Sequence, residues 1–362
     1  MIDAQMTKLI RNQASQMEQE GRLSETVLQY IYDQGLFKLF VPDALGGNMQ
    51  PLPEALKIFE EAAHVDGSFG WLVQIGSGAG FFATTMAPEA VRKYFTARDF
   101  YIAGSDRPTG VARKTDGGYI VNGTWAFASG AGHASLFTAT CRIESDDAED
   151  EKLYAFAFTP DQVEIEEDWN AFGMKATSSH TIHVEGAFVP AAYRFDVTGP
   201  HFHFDHPVYH YPFVPFAAAN IATTAIGVAK HFFEAAREHV ESKKAAWKKE
   251  GSNRYDHVNK ILEENEARFQ KERRKFYQAV EKSWDAHLTG GSLDDKDMEI
   301  ISTRSKIVAD AAVSGVQKLY RYLGMDIVTE SHPLNRIYRD LMTASQHGLL
   351  VDSEGELRSD RS

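Results

Sequence analysis

One cysteine, Cys141, in 362 residues leaves no internal disulfide to form, and it reads first as a small core residue. No run of 18 or more apolar residues occurs, so no segment is expected to span a membrane. The first twenty residues, MIDAQMTKLIRNQASQMEQE, hold no apolar stretch of the signal-peptide kind, and the expectation is a cytoplasmic protein. Positive charge is in deficit: 38 Lys and Arg against 51 Asp and Glu give a net charge of -13. That argues against a nucleic-acid partner, because phosphate backbones call for a basic surface. Familiar catalytic signatures are missing too, with no GxGxxG after a strand, no GxxxxGK[ST], no HExxH and no GxSxG. What remains is an ordinary globular composition, 43% hydrophobic and 25% charged, on a chain long enough for two or three structural units.

The periodicity of that chain changes twice. Over residues 1–98 it is helical: Leu23, Val27 and Ile31 fall four apart, and Leu56, Phe59, Ala62 and Ala63 repeat at three and four. Pro42, Gly46, Gly47, Pro51 and Pro53 separate the two runs, a further helix fits 67–86, and Pro88 opens another. Over residues 99–197 the period becomes two, in 119–127, 153–158, 163–165 and 181–184, with Gly117-Gly118 and Asn122-Gly123 as turns. This middle part is expected to be an antiparallel β-barrel. Over residues 198–362 long helices return. Ile301, Val308, Ala312, Gly315, Leu319 and Tyr322 form a seam suited to a four-helix bundle, and the charges over 243–275 read as a solvated helix face with a loop near Gly251-Ser252. The fold class is therefore mainly α with a β insert.

Few residues invite chemistry. Gly76-Ser-Gly-Ala-Gly80 lies inside a helical pattern and reads as close helix packing. His201, His203, His206 and His210 in HFHFDHPVYH resemble a metal set, but the segment alternates aromatic with polar and offers no helix-fixed ligand spacing. No metal is expected; Phe202, Phe204, Tyr209, Tyr211 and Phe213 there suit a pocket wall for an aromatic or bulky apolar ligand. His347, in the polar run after the helix Pro333–Ala344, is free to move protons near neutral pH or, equally, to cap that helix before Gly348. Residues 123–134 place Trp125 and Phe127 on a strand that ends in Ala-Ser129-Gly. Those groups suit the polar edge and the faces of a flat heteroaromatic cofactor, or simply a strand end with core aromatics.

Four segments in order tip the balance. Asp66-Gly-Ser-Phe-Gly-Trp71, then Gly117-Gly-Tyr-Ile-Val-Asn-Gly-Thr-Trp-Ala-Phe-Ala-Ser-Gly130, then Phe172-Gly-Met-Lys-Ala-Thr-Ser-Ser179 with Phe188-Val-Pro190, and His332-Pro-Leu-Asn-Arg-Ile-Tyr-Arg-Asp340 together resemble the acyl-CoA dehydrogenase superfamily over nearly the whole chain. Within it the chain is most similar to the oxygenase components of two-component flavin monooxygenases. Dehydrogenases use a glutamate after the last of these helices, whereas LMTASQHGLLV over 341–351 has no carboxylate, and neither has 213–233. The resemblance implies reduced FMN or FAD, supplied by a partner flavin reductase, and a small-molecule substrate to be hydroxylated.

It also assigns roles. His347 would be the base that takes the substrate's hydroxyl proton, and Ser129 would hydrogen-bond near the flavin's redox-active nitrogen. Trp125 and Phe127 would support the ring, Thr177 and Ser178 would close its other side, and Ser105 and Arg107 would flank it. A homotetramer is implied. Ala128 and Lys175 depart from the family pattern, as does the Lys243-Lys-Ala-Ala stretch where relatives grip a dinucleotide tail, which suits transient flavin binding. An acyl-CoA dehydrogenase-like flavoprotein oxidising a CH–CH bond and a non-catalytic relative are the alternative expectations.

Overall fold

A computed structural model describes residues 2–144, 152–199, 203–249, 253–290 and 293–351. Helix α1 (Ala4–Glu20) starts where Asp3 accepts the Met6 N–H at 2.8 Å and stops at Gly21, whose φ of +67° suits glycine. Helices α2 (Glu25–Asp33), α3 (Leu52–Val65), α4 (Gly67–Gly78) and α5 (Pro88–Tyr94) complete the first part, with Ser24 and Asp66 as side-chain caps of α2 and α4. A Cβ on Gly76 would lie 2.6 Å from Phe37 and 2.7 Å from the Tyr101 ring, so this glycine serves close packing, as the sequence suggests.

The middle strands are β1 (Ile102–Thr115), β2 (Gly118–Ala128), β3 (Leu136–Ile143), β4 (Leu153–Phe158), β5 (Glu164–Glu166), β6 (His180–Pro190) and β7 (Arg194–Phe195). They form one sheet in the order β5-β6-β2-β1-β3-β4-β7. The expected antiparallel barrel is corrected on two counts. The sheet is open, and β3 runs parallel to β1, pairing Ile102 with Leu136. The reason is the path of the chain. After the β1–β2 hairpin it crosses to the opposite edge of β1 through a single helical turn at Ala131–His133, so β3 repeats β1's direction.

Helices α6 (Pro207–His210), α7 (Phe213–Lys249), α8 (Arg254–Leu288), α9 (Asp295–Tyr320) and α10 (Pro333–Ala344) follow. By length and composition α7 could cross a membrane, but 78% of its most apolar stretch is buried, as in a core helix. Glu60 of α3 ties the halves together. This buried carboxylate accepts from Lys230 of α7 at 2.5 Å, and from Arg273 and Tyr277 of α8 at 2.8 Å each. The cations hold its pKa below the ordinary value against the cost of burial. Ile301, Val308, Ala312, Gly315 and Leu319 of the expected seam are buried, whereas Tyr322 lies beyond α9 and is 38% exposed. The loop expected at Gly251-Ser252 lies outside the described residues.

Candidate functional site

The site begins where β2 ends. The pairing of β2 with β6 is irregular between Trp125 and Ala128, and Phe127 takes φ +71°, a left-handed conformation rare for a residue with a side chain. This bulge breaks the alternation that the sequence implies. Trp125 turns inward, fully buried, its Nε1 donating to the Thr140 carbonyl at 2.9 Å and its ring 5.9 Å from Phe158. It is a core residue of the sheet and offers no free face, which corrects its assignment to a cofactor ring. Phe127 turns outward and is 52% exposed, with the Arg107 guanidinium 4.7 Å over its ring and Trp169 edge-on at 6.1 Å.

Two residues further on, Ser129 is buried. Its Oγ accepts the Trp71 indole N–H at 2.9 Å and shares a hydrogen bond of 2.8 Å with Ser179 Oγ. Ser179 Oγ lies 2.7 Å from Thr177 Oγ1, and the Thr177 hydroxyl donates to the Met174 carbonyl at 2.8 Å. The backbone is held as well: Gly130 N–H donates to Thr177 O, and the Tyr101 hydroxyl to Ser129 O. Ser178 stands in this run but points away, at φ +46°, donating to Gly21 O at the end of α1 at 2.6 Å. Thr177 is therefore in the cluster and Ser178 is not; the hydroxyl beside Ser129 belongs to Ser179.

Phe127, Met174 and Ser178 account for three of the four non-glycine residues at positive φ among the described residues. Such backbone costs about 1–3 kcal/mol per residue and persists only where surroundings enforce it. Here α10 does so. Asp340 Oδ1 accepts the Met174 N–H at 2.6 Å, and buried Arg339 donates to Phe172 O at 2.9 Å while pairing with Glu18 of α1. Asp66, the buried cap of α4, lies close by. Burial, and then the Asp66 charge, push the Asp340 carboxyl up to about 7, while burial raises Asp66 against the opposing pull of Arg336.

His347 follows α10 by three residues. The cap of that helix is Ser345, so the capping role considered for His347 is set aside. The half-buried imidazole packs on Trp71, centroids 6.0 Å apart and tilted 55°, and its Nδ1 accepts the Leu349 N–H at 3.3 Å. Burial lowers its pKa from the usual 6.5, with the charge of Asp106 pulling the other way. Ser105, half-buried, and Arg107, exposed, bracket Asp106 where the β1–β3 register shifts. Trp71, Ser179 and Asp106 were absent from the site drawn from sequence.

Other candidates serve packing. Tyr209 and Tyr211 are buried, their hydroxyls bonded to Phe40 O and Ser283, and Phe213 packs on Phe81. They do not line an open pocket as expected. His206 caps α6, and His210 lies 3.1 Å from Asp205; His201 and Phe202 lie outside the described residues. Two surface hollows, of about 520 Å³ beside Ile2, Thr7 and Arg11 and of about 330 Å³ beside Lys57, Arg273 and Tyr277, belong to other elements. Both are shallow and open, so geometry and chemistry weigh more than size here.

An exposed aromatic face, a guanidinium, a buried hydroxyl and an imidazole together suit a planar heteroaromatic ring with a polar edge, and an isoalloxazine has that shape. The family model described as the acyl-CoA dehydrogenase N-terminal domain matches residues 1–98, and that of the C-terminal domain matches 219–351; together they span well over half of the chain. Indole-3-acetate monooxygenase of Pseudomonas putida is 24% identical over 344 residues, covering 94% of this chain and 87% of its own. The oxygenase subunit HsaA, a flavin-dependent monooxygenase of Rhodococcus jostii, is 24% identical, covering 96% and 92%. The crystal structure of 3-HSA hydroxylase from Rhodococcus sp. RHA1 superimposes with a TM-score of 0.90 at 22% identity, over 97% of this chain and 92% of that one, a likeness of fold.

Proposed function

Because the chain belongs to the acyl-CoA dehydrogenase family, we propose that it works as the oxygenase component of a two-component flavin-dependent monooxygenase. It would take reduced FMN or FAD from a separate reductase and hydroxylate an aromatic or bulky apolar substrate. The observation that carries this reading is the junction at Trp71, whose indole is hydrogen-bonded to Ser129 and packed on His347. By the family resemblance His347 follows the helix after which dehydrogenases usually carry a glutamate. A proton α to a thioester needs a strong desolvated base, whereas a phenolic hydroxyl is within reach of a histidine.

When bound, the reduced flavin supplies the two electrons that activate O₂, one oxygen atom passing to the product and the other to water. The chain's own residues bind, orient and exclude water. Phe127 and Arg107 would cover the ring, Ser129 would meet its polar edge, and Trp71 would keep water from the space between Ser129 and His347. His347 takes the proton of the substrate hydroxyl. As the ring stands, Nδ1 is the acceptor, so the neutral tautomer carries its proton on Nε2. Acting as a base at Nε2 means giving up the long Leu349 bond, at a cost of about 1 kcal/mol, small beside the gain from proton transfer. In this reading the protein is a cytoplasmic homotetramer, with the boundaries at 98 and 197 separating three structural units.

Purified protein, chemically reduced FMN or FAD and ¹⁸O₂ should place one labelled oxygen in a member of a panel of phenols and indoles. Hydrogen peroxide alone across the panel, together with bleaching of a bound oxidised flavin by an acyl-CoA, would sink the proposal in favour of the dehydrogenase alternative.

A further inference from the structure

The hydroxyl cluster behind Ser129 has only one consistent arrangement of protons. Met174 O, which also accepts the Trp169 indole N–H at 3.0 Å and the Thr177 N–H at 3.1 Å, has no proton to give, and the 2.8 Å contact between it and the Thr177 oxygen needs one, so the Thr177 hydroxyl spends its proton there. The 2.7 Å contact between Thr177 and Ser179 then needs the proton of Ser179, because two lone pairs at that distance would repel. With the Ser179 proton used, the 2.8 Å contact between Ser129 and Ser179 needs the proton of Ser129. At the far end the Trp71 indole, a donor with no acceptor capacity, gives its N–H to Ser129 Oγ at 2.9 Å. The donors therefore run one way, from Trp71 through Ser129, Ser179 and Thr177 to Met174 O. Ser129, Ser179 and Thr177 are 6%, 5% and 1% exposed, so bulk water offers little competition for these protons.

Ser129 reaches the site with no proton to give and one lone pair left. From this we infer that the chain of hydroxyls makes Ser129 an obligate acceptor, and so selects the reduced over the oxidised form of the flavin. A reduced isoalloxazine carries an N–H at N5, whereas the oxidised ring presents a bare lone pair there. The first meets the Ser129 lone pair as a donor; the second meets it as a repulsion. Such a device suits a protein that borrows a reduced cofactor and must let the spent one go. The inference rests on the flavin reading above, and it makes Ser179 and Thr177 positioning residues acting through Ser129.

The test reads affinity, not turnover. Anaerobic titration with reduced FMN and aerobic titration with oxidised FMN give a ratio of dissociation constants for each variant. Ser179→Ala leaves the Ser129 proton without an acceptor, free to turn toward the ring. Oxidised FMN should then bind about three- to tenfold more tightly, the worth of one neutral hydrogen bond, while reduced FMN changes little. Thr177→Val lets Ser179 turn its proton onto Ser129, reversing the direction: oxidised FMN should tighten and reduced FMN weaken. Thr177→Ser restores the hydroxyl and should return the wild-type ratio. If Ser179→Ala and Thr177→Val both bind FMN with the wild-type ratio, the selection is overturned while the flavin reading stands. If the wild-type protein binds neither form of FMN or FAD, the flavin reading itself falls and the selection with it.

Discussion

The indole of Trp71 and the imidazole of His347 lie 6.0 Å apart, centroid to centroid, on elements separated by most of the chain. α4 carries the one and the turn after α10 the other, and the two elements meet because Asp340 and Arg339 of α10 clasp the Met174 loop against α1 and α4. Trp71 does two things at once. Its N–H fixes a hydroxyl, and its ring removes water from a histidine.

The dry environment sets a pH dependence. Burial lowers the His347 pKa below 6.5, so the imidazole stays neutral, and able to accept a proton, further into acid than an exposed histidine does. kcat/KM for a phenolic substrate should fall on the acid side with a midpoint under 6.5. Asp106 favours the cation, so Asp106→Asn should move that limb to still lower pH. His347→Asn should cost about 10²- to 10⁴-fold in hydroxylation, the usual worth of a positioned acid–base group, with reduced-flavin affinity kept. A pH–rate profile whose acid limb is unchanged in Asp106→Asn would count against this electrostatic account.

Asp340 links pH to stability. Its folded-state carboxyl, raised to about 7 by burial and by Asp66, keeps its proton where the unfolded chain has lost it. The stability this contributes is fully present below about 4, the ordinary carboxylate value, and is lost as pH rises through about 7. Asp340→Asn keeps an oxygen for the Met174 N–H and removes the ionisation. The melting temperature of the variant should therefore fall less steeply than that of the wild type between pH 4 and pH 7, and an equal slope would mean that Asp340 is not the group responsible.

Much of this was legible in the sequence. The two changes of period separate helical, strand and helical stretches because local burial dictates both periods. The topology of the sheet was not legible. That β3 would join the far edge of β1 depends on pairing between distant residues, which no local pattern records. The site shows the same division. Ser129 and His347 were proposed from short motifs and both meet Trp71, yet Trp125, read as ring support, is buried in the sheet, because strict alternation puts it on the same face as Phe127. A bulge with φ +71° at a phenylalanine, where glycine would have given warning, separates them. In the run Thr177-Ser178-Ser179 a left-handed turn at Ser178 brings the outer two hydroxyls together, and no local pattern announces such a turn at a serine.

Gly173 tests how tightly α10 holds the loop. A Cβ there would lie 2.3 Å from the carbonyl carbon and oxygen of Arg339, which are backbone atoms within a helix and cannot step aside. Gly173→Ala should destabilise the fold by about 1–3 kcal/mol, the range for overpacking. It should also displace Met174 and weaken flavin binding. Gly132→Ala, with nothing within 4 Å, is the matched control and should be close to neutral. Denaturant unfolding with parallel flavin titration measures both effects, and a Gly173→Ala protein of unchanged stability would show that the loop is not clamped.

The two tasks of Trp71 can be separated by substitution. Trp71→Phe removes the donor but keeps a ring against His347. Ser129 gains a second free lone pair, and the direction of its own proton, set from the Met174 end, does not change. The preference for reduced over oxidised FMN should therefore survive, with a loss of roughly threefold or less in affinity from the looser hydroxyl. The acid limb of hydroxylation should stay where it is, because the imidazole remains covered. Trp71→Ala removes the cover as well. Water then reaches His347, its pKa climbs back toward 6.5, and the acid limb should move up in pH. Phe should thus separate from Ala on the pH profile, since only Ala uncovers the imidazole, while neither reverses the flavin preference. If Trp71→Phe moved the acid limb as far as Trp71→Ala, the hydrogen bond to Ser129, not the burial of His347, would be what sets the imidazole's pKa.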